Sequence, residues 1–212
     1  MYRKFFKRVF DIVSSGAVIL LLLPFFIIFT PIVAIAMKGN PFFVQERAGY
    51  KGKAFKLIKY RTMTNKKDEN GELLPNDKRL TKFGKLIRAL SLDELPQLFN
   101  IFIGQMSVVG PRPLYMKYIE RYNDSQSLRL LAKPGLTGLA QVEGRNAIEW
   151  EEKFNLDVKY VRKITFFGDM KIIFKTITKV IKRDGISQGD NAYTPEFMGT
   201  KEEIGEDDNE KS

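Results

Sequence analysis

The chain has 212 residues and a formal charge of +10, with 35 Lys and Arg against 25 Asp and Glu. It contains neither His nor Cys, which excludes imidazole bases, Ser-His-Asp triads, thiol nucleophiles, disulfides and thiolate or imidazole zinc sites. Any chemistry rests on Asp, Glu, Lys, Arg, Tyr, Ser or Thr, and any bound metal is a hard ion held by oxygens. A basic body calls for an anionic partner, whether nucleic acid, anionic lipid or a phosphorylated substrate.

The first element is Ile12 to Met37, an uncharged stretch longer than the roughly 20 apolar residues a membrane span needs. Pro24 sits near its middle and Pro31 follows, and each is expected to bend or break a helix by removing a donor and crowding the preceding turn. Each half is then only about 18–20 Å long. Arg3, Lys4, Lys7 and Arg8 precede the stretch, and Lys38, Arg47, Lys51, Lys53, Lys56, Lys59 and Arg61 follow it. Both ends therefore favour the cytoplasmic side. A helix–break–helix that enters and leaves one leaflet satisfies that, and a single span does not. This reading makes residues 1–40 a re-entrant membrane anchor, with its flanking cations facing lipid headgroups.

The polar part follows. Phe42–Tyr60 reads as a short β-hairpin about Gly49-Tyr50-Lys51-Gly52, and residues 65–78 read as a loop. Phe83, Leu86, Ile87 and Leu90 have helical spacing, with Lys78, Lys82, Lys85 and Arg88 on other faces. Gln97–Ile103 is expected to be helical, Met106–Arg112 strand-like and Tyr115–Leu131 helical. Lys133–Asn146 is expected to be a glycine-punctuated loop, and Trp150–Arg162 and Asp169–Lys182 to be helices. The last is basic and amphipathic, the pattern of a helix lying on an anionic membrane. Residues 41–184 form the catalytic domain in this reading, and 185–212 a polar C-terminal segment. Its last part carries six acids and two lysines over residues 201–212 and is expected to be disordered.

Three short segments could carry chemistry. Asp93-Glu94 lies in Ser91-Leu92-Asp93-Glu94-Leu95-Pro96-Gln97. Ser91 and Glu94 have capping-box spacing, and acids are common in a first helical turn for that reason alone. The functional version of the same arrangement is an ionised, low-pKa Asp93 at a helix N-terminus beside a bound phosphoryl group. There it could act as a nucleophile, with Glu94 holding a hard divalent cation. Gly110-Pro111-Arg112-Pro113 stiffens the backbone on both sides of Arg112, which suits phosphate recognition. Gly144-Arg145-Asn146 could cradle and clamp an anion. Lys59, Arg88, Asp157 and Asp169 taken singly read as solvated charges.

In order, the segments Lys59-Tyr60-Arg61-Thr62-Met63, Leu86-Ile87-Arg88, Ser91 to Asn100, Ser107 to Pro113, Lys133 to Val142 and Gly144-Arg145-Asn146 are distinctive together. The chain resembles the bacterial sugar transferase family, the monotopic phosphoglycosyl transferases, and in particular its small, catalytic-domain-only members. The resemblance covers roughly residues 1–199. It implies a mostly α fold with a short β-hairpin, attached to an N-terminal re-entrant helix, with interfacial amphipathic helices on the cytoplasmic face of the bacterial inner membrane. The implied reaction moves a phospho-sugar from a UDP-sugar to a polyprenyl (undecaprenyl) phosphate and releases UMP, the first membrane step of glycoconjugate biosynthesis. By that likeness Asp93 is the nucleophile, Glu94 and Asp93 hold Mg²⁺, and Lys59, Arg88, Arg112, Arg145 and Asp157 belong to the substrate and phosphate site. At the membrane break many members have Ser-Pro where this chain has Leu23-Pro24, so no Ser hydroxyl is there to satisfy a carbonyl freed by Pro24. The donor sugar, the pathway served and the oligomeric state stay open. The alternative is a non-enzymatic, membrane-anchored basic adaptor for anionic lipid or nucleic acid, although the chain carries no recognised nucleic-acid motif.

Overall fold

The computed structural model describes residues 1–144, 148–182 and 196–200. A short π-helical turn at Tyr2–Phe6 leads into α1 (Lys7–Leu21), and α2 (Leu23–Ala36) follows after a break at Leu22. Pro24 lies in the first turn of α2, where its missing N–H costs nothing and its ring prevents α1 from running on. The two helices are bent by 67°, so the bend forms with Leu23 in place of a Ser. Pro31 departs from expectation, because α2 continues through it. No single helix among the described residues is long and apolar enough to cross a membrane; the bent pair meets that test only together.

The hairpin forms as expected. Strand β1 (Phe42–Ala48) pairs antiparallel with β2 (Ala54–Tyr60), with Phe42 opposite Tyr60 and Ala48 opposite Ala54. Period-2 alternation puts Phe55, Leu57 and Lys59 on one face of β2; Phe55 and Leu57 are buried there. A short α3 (Asn76–Arg79) precedes α4 (Lys82–Ala89), which is capped by the Thr81 hydroxyl accepting from the Gly84 amide at 2.8 Å. A single 3-10 turn, Leu92–Glu94, joins α4 to α5 (Gln97–Phe102). Asn100 of α5 fastens this helix to the hairpin. Its side chain accepts from the Ile58 amide at 3.1 Å and donates to the Lys56 carbonyl at 2.8 Å, imitating a neighbouring strand. Phe26, Val33, Leu57, Tyr60, Ile87, Leu98 and Ile101 close the core between α2, the hairpin, α4 and α5.

The second half differs more from expectation. Tyr115–Leu131 is no continuous helix, but a 3-10 stretch at Met116–Arg121, then α6 (Asp124–Ser127), then a 3-10 turn at Leu128–Leu131. A full capping box of Asn123 and Gln126 starts a new helix at Asp124 and so interrupts the old one. Lys133–Asn146 is not only loop. It holds β4 (Gly135–Thr137), parallel to β3 (Ser107–Val109), and α7 (Leu139–Glu143). Gly110 and Gly135 permit this pairing, since an added Cβ at either would strike the other's backbone. The remaining helices, α8 (Trp150–Arg162) and α9 (Phe166–Lys182), agree with the sequence pattern. Residues 196–200 are not a free polar end. Phe197 is buried among Tyr118, Tyr122 and Phe154, and Glu196 pairs with Lys117 and Arg121. The acidic residues 201–212 lie outside the described residues.

Buried charge ties the N-terminal helix to the rest. Asp169 of α9, expected to be solvated, is completely buried. It accepts from Lys7 Nζ at 2.7 Å, from the Tyr2 hydroxyl at 2.7 Å and from the Tyr160 hydroxyl at 2.8 Å. Asp11, one turn beyond Lys7, accepts from the Ser107 hydroxyl and the Val108 amide, both at 2.9 Å. Arg8 caps the end of α5 through the Ile101 and Phe102 carbonyls, and Arg3 reaches the Leu131 carbonyl. The expectation that this basic flank faces headgroups therefore needs correcting at Lys7 and Arg8 only. Lys7 is buried and paired, because a buried cation without a partner is costly, and half-buried Arg8 is bonded to carbonyls, whereas Arg3 and Lys4 remain exposed. Asp169→Ala should destabilise the fold by about 3–5 kcal/mol, because Lys7 is left buried and unpaired. Pairing Asp169→Leu with Lys7→Met should recover part of that loss in denaturant unfolding. A neutral Asp169→Ala would refute the anchor.

Candidate active site

The turn Leu92–Glu94 places two adjacent carboxylates between α4 and α5, opposite the end of β2. Ser91 enters it in the left-handed region, at φ 55° and ψ 20°, and its side chain makes no cap hydrogen bond. An N-cap residue needs an extended backbone, so the expected capping box does not form. Asp93 and Glu94 are not the first turn of a long helix. A non-glycine left-handed residue costs on the order of 1–3 kcal/mol, a cost that here serves to reverse the chain directly before the two acids.

The cations expected at the site come from separate elements. Lys59, at the end of β2, places Nζ 2.6 Å from Glu94 Oε1. Arg112 follows β3 and places Nη2 3.1 Å from the same oxygen, with half of its side-chain surface still exposed (50%). Arg88 of α4 is held by its Nε donating to the Thr62 hydroxyl at 3.0 Å, close enough to Asp93 to pull its pKa down. Asp157 is not brought into this cluster. Its carboxylate is buried against Arg129, 2.8 Å from Nη2, and it meets the site only through Arg129. Arg145 lies outside the described residues.

The two acids sit in opposite electrical environments. Burial works against ionisation of Glu94, but Arg112 and Lys59 together outweigh it and hold the carboxyl down to about 2. Asp93 forms no ion pair among the described residues. Burial raises its pKa, Lys59 and Arg88 pull it down less strongly, and neighbouring Glu94 raises it further. The expectation of a low-pKa Asp93 is thus reversed. The low value belongs to Glu94, and the reason is that both cations point at Glu94.

Among the described residues no group of three or more Asp or Glu forms a metal cage. Two adjacent carboxylates still fit Mg²⁺, which binds through one or two carboxylates plus substrate phosphates and keeps several waters. Glu94 Oε1 is occupied by Lys59 and Arg112, so Oε2 and the Asp93 carboxylate are the oxygens available. Sequence reasoning missed Arg129, Asn100 and Thr62. Arg129 left one signal, a lone cation within Leu128-Arg129-Leu130-Leu131-Ala132, where a solvated charge is out of place.

The profile of the family described as "Bacterial sugar transferase" matches residues 2–183. The sugar transferase EpsL of Bacillus subtilis, itself uncharacterised, is 49% identical over 92% of this chain and 96% of its own. The UDP-galactose-lipid carrier transferase of Erwinia amylovora is 41% identical over 86% of this chain. The undecaprenyl-phosphate galactose phosphotransferase of Salmonella typhimurium is 40% identical over 86%. The matches cover only 42% of each of these last two proteins.

The electrostatics predict an ordering of titrations. Asp93 should titrate above the ordinary 3.8, and Lys59→Met should move it higher still, because a cation that favours the carboxylate is gone. Carbon-detected NMR on the isotope-labelled protein reads both values. Asp93 titrating below 3.8 would contradict the burial argument. Glu94 is depressed, so its contribution to stability is complete above 4.5 and is lost as pH falls toward about 2. Glu94→Gln should flatten acid unfolding in that window.

Proposed function

The chain belongs to the bacterial sugar transferase family, and we propose that it transfers a phospho-sugar from a UDP-sugar to a polyprenyl phosphate. The observation that carries the reading is the division of labour between adjacent acids: Glu94 is tied to Lys59 and Arg112, while Asp93 forms no ion pair among the described residues. An ionised carboxylate needs no base to activate it, which suits a chain without His.

In this mechanism an Asp93 oxygen attacks the sugar-linked phosphorus of the UDP-sugar. The bond from that phosphorus to the bridging oxygen breaks, and UMP leaves with the electron pair. The product is a phospho-sugar ester on Asp93. A phosphate oxygen of the polyprenyl phosphate then attacks the same phosphorus and displaces the Asp93 carboxylate, giving polyprenyl-diphosphate-sugar. Lys59, Arg88 and Arg112 bind the negative phosphates and hold the donor in line. Arg112 does so from a loop whose two prolines have removed much of its freedom. Mg²⁺, held by Glu94 and Asp93 with the diphosphate, would offset phosphate charge.

The bent helix pair supports a membrane-embedded, re-entrant anchor. Leu20, Leu21, Ile27, Ile28 and Ile35 are exposed around and beyond the bend, and a soluble protein rarely leaves such a patch uncovered. Phe167, Phe174, Ile177 and Ile181 form a second exposed apolar row on α9, consistent with a helix lying on the cytoplasmic leaflet. The adaptor reading loses support at Lys7 and Arg8, two of the four N-terminal cations, which are engaged within the protein.

Incubation with a sugar-labelled UDP-sugar and no lipid acceptor should label the protein and release UMP. Asp93→Asn should abolish the label and lower turnover on the order of 10⁴-fold. Absence of label, or full activity in Asp93→Asn, would overturn the covalent route. Tags at Met1 and Ser212 should both be protected from an external reagent in intact cells; labelling of one tag only would overturn re-entry.

A further inference from the structure

Arg129 is a buried cation whose every guanidinium nitrogen is used. Nε and Nη2 donate to Asp157 Oδ2 at 3.0 and 2.8 Å, and Nη1 donates to the Tyr122 hydroxyl at 3.2 Å. Nη2 also donates to the main-chain carbonyl of Arg112 at 2.7 Å. The guanidinium lies against the rings of Tyr122 and Phe154, 5.7 and 5.6 Å from their centres. Phe197, itself buried, packs edge-on against Phe154 with ring centres 4.9 Å apart. Stability alone gives little reason for such a pair, since two well-packed apolar residues often serve as well or better. What apolar residues cannot supply is a charged donor aimed at the Arg112 carbonyl.

We propose that Arg129, oriented by Asp157, is a positioning residue that fixes the backbone of Arg112 so that its guanidinium is held ready for the donor's phosphates. The proposal rests on the transferase reading, in which Arg112 meets the diphosphate. The Gly110 amide donates to the Thr137 carbonyl and the Gly135 amide to the Pro111 carbonyl, at 2.8 and 2.9 Å, so the loop is pinned just before Arg112. Prolines at 111 and 113 have no N–H to add further bonds. The Arg129 bond is therefore the tie at Arg112 itself. Asp157, assigned by resemblance to the substrate site, would act on it through Arg129, two hydrogen bonds from the Arg112 backbone.

The test replaces the pair together, Arg129→Met with Asp157→Leu, so that no charge is left buried alone. Amide exchange at Gly110, Arg112 and Leu114 should quicken, while exchange in the hairpin 42–60 and in α9 stays the same. The KM for the UDP-sugar should rise about tenfold with kcat nearly unchanged, as for a displaced binding group. In an Arg112→Gln background the same pair of changes should have no further effect on KM. Arg129→Lys keeps the charge against Asp157 but lacks the fork; it covers the case in which the paired variant fails to fold, and it should show the same loop exchange and KM rise. Unchanged exchange at the loop, or an equal KM rise with and without Arg112, would overturn the proposal. A wild-type protein that turns over no UDP-sugar would instead refute the transferase reading, and the exchange measurement would still decide the positioning role.

Discussion

The arrangement of this protein depends on one buried carboxylate. Asp169 cannot be left without donors at full burial, and the donors come from three directions: Tyr2 and Lys7 at the N-terminus and Tyr160 on α8. The Tyr160 hydroxyl also lies 3.0 Å from the Val109 carbonyl, the last residue of β3. Asp11, one helical turn beyond Lys7, takes the Ser107 hydroxyl and the Val108 amide of the same strand. The N-terminal helix thus fixes β3 along its length, and β3 runs directly into Gly110-Pro111-Arg112-Pro113. Placement of the bent apolar helices and placement of Arg112 are one constraint. A disturbance at Asp169 or Asp11 should therefore be felt at Arg112, although neither acid belongs to the candidate site.

Within that site, two neighbouring carboxylates acquire different properties from their surroundings, the pattern by which one fold separates chemical roles. Glu94 draws both cations and stays ionised. Asp93 lies half-buried beside this negative charge and forms no ion pair among the described residues. Glu94 then resembles an internal substitute for a phosphate, since it satisfies Lys59 and Arg112 before any donor arrives. A diphosphate carries more charge than one carboxylate and can compete for Arg112, whose side chain is the more exposed of the two cations. In the proposed mechanism, a turn of Arg112 to the donor would redistribute the charge near Asp93.

The hairpin, α4, α5, α8 and α9 were legible in the sequence, because period-2 and period-3.6 patterns are local. The break at Pro24 was legible for the same reason. Pro31 was misjudged because a proline's local penalty can be absorbed where the helix is supported by packing, and Val33 beside it is fully buried in the α2 core. Tyr115–Leu131 failed because apolar content suggests helix while the Asn123 cap, a local competitor, restarts it. The candidate site was legible to the extent that Lys59, Arg88, Asp93, Glu94 and Arg112 were named and are brought together. The direction of the Asp93 shift was not, since its largest cause is burial, which tertiary packing sets, and the nearest cations pair with Glu94 instead. Buried charges such as Asp169, Asp157 and Arg129 look like solvated ones in a sequence unless, as at Arg129, apolar neighbours crowd them on both sides.

The same distinction changes the meaning of the net charge. An excess of +10 suggests a broad field for anions, yet many cations are spent internally. Lys7 is paired with Asp169, Arg129 with Asp157, and Lys59 and Arg112 with Glu94, while Arg3 and Arg8 are bonded to carbonyls. Lys38, Lys51, Lys53, Lys56, Lys82 and Lys85 stay exposed, and on α9 Lys171, Lys179 and Lys182 line a shallow groove beside α7 together with Phe174 and Lys175, the last paired with Glu143. The exposed apolar row of α9 lies alongside these lysines. A helix with aromatic and aliphatic residues on one side and cations on the next meets the requirements of an anionic bilayer surface, because apolar burial and headgroup attraction act on it together. Lys7 and Asp11 lock the bent helices to the rest of the protein, and under the proposed membrane mode α9 would add a second lipid-facing surface, as its sequence pattern suggested.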